Sequence, residues 1–181
     1  MKNNWFALLA VLGLAGCATT VQPTSVPVQP PDASKLVKMK VVGVTSGLEA
    51  DSYVMLLESV EGKDSSTRLP IFVGEREATV LNMKLARQST PRPLTHDLSI
   101  SLLTAAGGEI RQIVIEDLQE GIFLARIYLA DGKGRLRSVD SRASDAIILG
   151  VATGKDIHAD RKVLQKAGIR SEKSTGPALD I

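Results

Sequence analysis

A repetition inside the chain restricts its fold more than any other feature. A shift of sixty-eight positions lays Glu77-Ala78-Thr79-Val80-Leu81 over Asp145-Ala146-Ile147-Ile148-Leu149, and Ile71 over Val139. Both halves read strand, strand, strand, helix, helix. Three strands with a helical pair rarely suffice for independent stability, so the halves must share one core. The expectation is a single α+β domain over residues 36–170. It would be built from two intertwined repeats, with a mixed or antiparallel sheet and helices packed on it.

In the first half, residues 36–44 alternate apolar and basic side chains, as a strand with one buried face does. Residues 52–60 are rich in β-favouring types, 61–64 form a turn, and 67–73 make the next strand. Gly74 then opens a helix with Glu75 and Glu77 in its first turn and Lys84 and Arg87 near its end, the polarity that a helix dipole favours. Pro91 and Pro93 prevent its continuation, and Thr95 is the expected N-cap of a second helix over 96–106. The second half repeats this with strands over 109–117, 122–130 and 135–140 and a helix over 141–152. A short segment, 156–158, precedes a last helix that Asp160 caps and that ends at Ala167.

The amino terminus sets the expected address. Lys2 precedes an unbroken apolar run from Trp5 to Gly16, which ends at Cys17, the one cysteine of the chain. Twelve apolar residues fall short of the roughly 20 that a membrane-spanning helix needs, so residues 1–16 read as a signal peptide. Leu14-Ala15-Gly16-Cys17 resembles the bacterial lipobox, in which cleavage leaves the cysteine first and its sulfur acylated. Ala18 stands where a retention signal for the inner membrane would show Asp, which favours the outer membrane in a Gram-negative host. Residues 17–35, with Pro23, Pro27, Pro30 and Pro31, read as a tether, and 171–181 as a flexible tail. The expected location is extracytoplasmic and lipid-anchored.

Charge then narrows the function. Loss of residues 1–16 removes Lys2 and lowers the formal charge from +2 to +1. No basic block remains, and only Tyr53, Phe72, Phe123 and Tyr128 are aromatic in the mature part, too few for a long stacking platform. No phosphate-cradling Gly-rich loop and no Gly-x-Ser-x-Gly elbow occurs.

Two segments hold more polar groups than a fold needs. Arg92-Pro93-Leu94-Thr95-His96-Asp97-Leu98 sets a guanidinium, an imidazole and a carboxylate at a helix start. There His96 can act as general base with Asp97 or another acid orienting it, and Arg92 can bind an anion. Asp140-Ser141-Arg142-Ala143-Ser144-Asp145-Ala146 sets two carboxylates across a strand-to-helix turn, a pair able to hold Mg²⁺ or Mn²⁺ together with a substrate phosphate. The structural alternative has Thr95 and Ser141 or Ser144 as caps, Asp97 on the helix dipole, and Asp140 paired with Arg142.

These segments, with Leu69-Pro70-Ile71-Phe72-Val73-Gly74-Glu75-Arg76-Glu77-Ala78 and Gly121-Ile122-Phe123-Leu124-Ala125, resemble the bifunctional nuclease domain over about residues 38–169. Two positions depart from the family pattern: Ala143 replaces its usual Pro, and Leu124 its usual aromatic. Many relatives also carry a C-terminal helical hairpin that is not seen here. The resemblance implies hydrolysis of RNA and DNA. On that reading Asp140 and Asp145 would bind a divalent cation, His96 with Asp97 would do acid–base work, and Arg92 and Arg142 would steady the phosphate. Expected partners are the membrane, nucleic acid and a second copy of the chain. The alternative is a non-catalytic envelope binding or assembly module on the same fold, its protein partner unspecified.

Overall fold

In the computed structural model, residues 26–47, 52–60 and 67–170 are described. The expected signal peptide, Cys17, the first part of the expected tether and the expected tail lie outside the described residues. Among the described residues no helix is long and apolar enough to cross a membrane.

The first half supplies β2 (Leu36–Ser46), β3 (Ser52–Ser59) and β4 (Thr67–Gly74), then α1 (Glu75–Leu85) and α2 (Thr95–Ala105). The second supplies β5 (Glu109–Gln119), β6 (Ile122–Ala130), β7 (Leu136–Arg142), α3 (Ala143–Thr153), β8 (Asp156–Asp160) and α4 (Arg161–Ala167). Two-residue strands, β1 (Val26–Pro27) and β9 (Ile169–Arg170), complete a nine-stranded sheet in the order β1-β7-β6-β5-β8-β2-β3-β4-β9. Each half is thus an antiparallel meander, and the two meanders run outward from β8. That strand pairs parallel with β5 and antiparallel with β2. The expected mixed sheet with helices on it is what forms.

Three expectations need correcting. The short segment at 156–158, given no element of its own in the expected plan, is part of the strand that joins the halves. Ile157 and Ala159 are buried in it, so the second half has a strand between its helices that the first lacks. The helix expected from residue 141 starts at Ala143, because Ser141 and Arg142 still pair with Ala125 and Leu124 of β6. The proline-rich segment is not all tether: Val26 and Pro27 pair with Ser138 and Arg137, and a 3-10 turn at Ala33–Lys35 leads into β2.

The core explains why α3 is apolar nearly all round its circumference. Ala146, Ile147 and Ile148 are fully buried, and Ala143 and Leu149 nearly so. A Cβ on Gly150 would lie 2.9 Å from Ile157 Cγ1 and 3.0 Å from Ile113 Cγ1, so glycine lets this helix settle onto β5 and β8. Gly154 ends it with φ +64°, the left-handed C-terminal geometry in which glycine avoids a Cβ penalty. α1 packs against α3 and covers β2, β3 and β4, while α3 covers β5, β6 and β7. α4 is held to the end of β5 by Lys166 Nζ, 2.7 Å from Asp117 Oδ1.

The β6–β7 turn depends on one carboxylate. Asp131 accepts from the backbone N–H of Lys133 at 2.9 Å and of Arg135 at 3.0 Å, and from the Arg135 and Arg137 guanidinium groups. Partial burial works to raise its pKa, but those four donors together outweigh it and hold the carboxyl well below the usual range. A depressed pKa contributes stability above the unfolded value of about 3.9, and this is lost as pH falls through the folded value. Thermal melts of the native protein and Asp131→Asn should therefore differ at neutral pH and converge on acidification below about pH 4. A gap that stays constant down to the acid limit would contradict this.

Candidate functional site

The two strand-to-helix junctions meet. β4 and β7 each run straight into a helix, and the sixty-eight-residue shift that relates them sets Gly74 on Arg142 and Glu77 on Asp145. Because α1 packs on α3, Glu77 and Asp145 fall on either side of one guanidinium. Arg142 Nε lies 2.7 Å from Asp145 Oδ2 and Nη2 lies 3.0 Å from Asp145 Oδ1, a bidentate pair, and Nη2 is also 3.1 Å from Glu77 Oε1. The arginine is largely exposed, so these pairs fix geometry more than they stabilise the fold.

The start of α2 adds the imidazole. His96 Nε2 lies 3.1 Å from Asp145 Oδ1, and its side chain is only 16% exposed. With Nε2–H donating to the carboxylate, Nδ1 carries the ring's lone pair. Burial pushes the Asp145 carboxyl up, but bonds from Arg142 and His96 outweigh that and leave it below the ordinary carboxylate range. It therefore stays ionised at neutral pH, beside the histidine.

Two open recesses flank this cluster and share Glu77 and Arg142 as a wall. One, about 250 Å³, is lined by His96, Asp145, Arg76 and Val80. The other, about 470 Å³, is bounded by the end of β4, the β5–β6 hairpin and the β7–α3 junction, and Asp140 lines it.

The expected site residues thus divide. His96, Arg142 and Asp145 come together. Asp97 turns away: Lys84 Nζ approaches to 2.6 Å and the Leu94 N–H donates to its other oxygen at 3.1 Å. The lysine contact, and then that backbone bond, hold its carboxyl below the usual range despite desolvation. Asp97 is therefore the N-terminal capping group of α2, with Leu94 at the cap position that Thr95 was expected to hold. Arg92 is exposed on the turn before α2, where its backbone carbonyl accepts from Thr90. Asp140 is exposed and lines the larger recess while Asp145 lines the smaller one, and Arg142 pairs with Asp145 and Glu77 in place of the expected Asp140. Glu77 was absent from the expected set, although its alignment with Asp145 was the available signal. Among the described residues no three His, Cys, Asp or Glu side chains gather as a metal site.

The family profile described as the bifunctional nuclease domain matches residues 55–172. An uncharacterized protein of Mycobacterium tuberculosis, found in two strains, is 33% identical over 132 residues, covering 73% of this chain and 76% of the relative. The matched region holds both strand-to-helix junctions, the start of α2 and the central strand β8. The chain belongs to the bifunctional nuclease domain family.

Proposed function

We propose that this protein is a membrane-anchored phosphodiester hydrolase acting on RNA and DNA, with His96 and Asp145 as its acid–base pair. The observation that carries the reading is the 3.1 Å contact between His96 Nε2 and Asp145 Oδ1, on a carboxylate also gripped by Arg142. Asp145 orients the imidazole and balances the charge it gains, the part that a buried acid plays in a hydrolytic triad. Water attacks phosphorus as the bond to the leaving oxygen breaks. The imidazole takes the proton of the water and returns it to that oxygen. Arg142 stands beside the pair to steady negative charge on the phosphoryl oxygens.

A divalent cation such as Mg²⁺ or Mn²⁺ would be held by Asp140 together with substrate phosphate, since Asp145 is committed to Arg142 and His96. Such a cation would neutralise charge on the phosphate. The lipid anchor at Cys17 and the extracytoplasmic, in a Gram-negative host outer-membrane, address belong to the same proposal. They are supported by the lipobox-like run and the tether that follows it. Arg76 and Arg142 lie next to Glu77 and Asp145, so the cluster is not a basic funnel, and this favours the second reading, a non-catalytic binding module.

Residues 18–181, incubated with labelled single- and double-stranded RNA and DNA with and without Mg²⁺ or Mn²⁺, should release shortened products. No cleavage of any substrate, together with a stable protein partner recovered from solubilised membranes, would decide for the binding module.

A further inference from the structure

β1 joins the edge of β7 antiparallel, with Val26 opposite Ser138 and Pro27 opposite Arg137. The backbone at Val26 is thus directed so that its N-terminal side points along β7 toward Asp140 and Arg142. From Cys17 to Val26 the chain can span no more than roughly 30 Å, at about 3.3–3.6 Å per residue. Arg142 lies four residues beyond Ser138, about 13 Å further in the direction from which the chain enters β1, at the rise of a strand.

The same end carries the two most exposed large apolar side chains among the described residues, Phe72 at 68% and Ile122 at 64%. Both line the recess that holds Asp140 and Arg142. The β6–β7 turn at Lys133 lies at the opposite end, a strand's length or about 30 Å away. Two apolar side chains beside a charged recess are far too little for a stable protein interface, which buries about 800 Å² per partner. They suffice for a lipid contact, because the acyl chains would already supply the affinity.

We propose that this end of the domain rests on the lipid surface, with Phe72 and Ile122 in the interfacial layer. The proposal rests on the lipid-anchor reading of Cys17 and goes beyond it, since an anchor alone leaves the domain free to take any orientation. The recess carries Glu77 and Asp140 against Arg142, so the contact is apolar in origin and insensitive to salt.

The test uses the full acylated chain in vesicles of phosphatidylethanolamine and phosphatidylglycerol in a three-to-one ratio. With the Cys17 sulfur blocked by lipid, Ile122→Cys and Lys133→Cys each introduce one free thiol for an environment-sensitive fluorophore. Lipids spin-labelled near the headgroup should quench the probe at 122 about twofold or more, at high and low salt alike, and leave the probe at 133 unchanged. Phe72→Cys gives an independent report from the same lip and should behave as 122 does. Equal quenching at 122 and 133, or none at 122 and 72, with acyl chains present on Cys17 by mass spectrometry, would overturn the orientation alone. An unmodified Cys17 would overturn the anchor and the orientation together.

Discussion

Asp145→Asn should lower the turnover of phosphodiester hydrolysis by about 10²–10⁴-fold while leaving the fold in place. The amide is neutral, so it cannot balance an imidazolium. Its NH₂ can also donate to the ring nitrogen and hold His96 in the wrong tautomer. Stability should change little, because the carboxylate's partner Arg142 is mostly in water and such pairs are worth about 0–1 kcal/mol. Steady-state kinetics beside circular dichroism separate the two effects. The loss should fall on kcat, since in the proposed mechanism Asp145 acts through the histidine on the charge that develops during reaction. A variant that keeps native kcat would remove Asp145 from the chemistry.

The largest effect on stability is expected at Ile147, near the middle of α3. It is fully buried in the core that both halves share. Ile147→Ala removes methylene contacts from a helix fixed by β5, β6 and β7 on one side and α1 beside it, so the site can collapse little. The expected cost is about 2–5 kcal/mol, or a fall in Tm on the order of 10 °C. Urea unfolding checks this, and it checks cooperativity too. A single transition at a lower midpoint fits one shared core. Two separated transitions would mean that the halves unfold independently.

Much of this architecture was legible because periodicity reports faces. The alternation in residues 36–44 and the apolar run 146–149 mark which sides are buried. The internal shift pointed to three strands and a helical pair in each half. Lateral order is another matter: β8 has only Ile157 and Ala159 as its buried face, with His158 between them, and five residues carry too few repeats to tell strand from link. The start of α3 was misplaced for a related reason. Ser141 looks like a cap, yet backbone pairing with Ala125 holds it in β7. Local capping rules do not see ladder bonds made to a strand elsewhere in the chain.

The candidate site was half legible on the same grounds. His96 and the Arg142–Asp145 segment stood out by composition, but forty-nine residues separate His96 from Asp145, and only the packing of α2 beside α3 joins them. Sequence neighbours suggested Asp97 as the orienting acid. Lys84, thirteen residues earlier and one helix away, takes that carboxylate instead. Glu77 was visible only as the residue that the sixty-eight-position shift sets on Asp145, and its meaning emerged once α1 and α3 were seen to bring both acids to one arginine.

The most direct measurement of the central claim is a double-mutant cycle on His96 and Asp145, read as kcat/KM on single-stranded RNA and DNA. If the imidazole and the carboxylate act as one unit, His96→Ala and Asp145→Asn each remove most of the activity, and the double variant is no slower than the worse single one. Activity that persists in the double variant, or losses that multiply as if the two residues were independent, would contradict it.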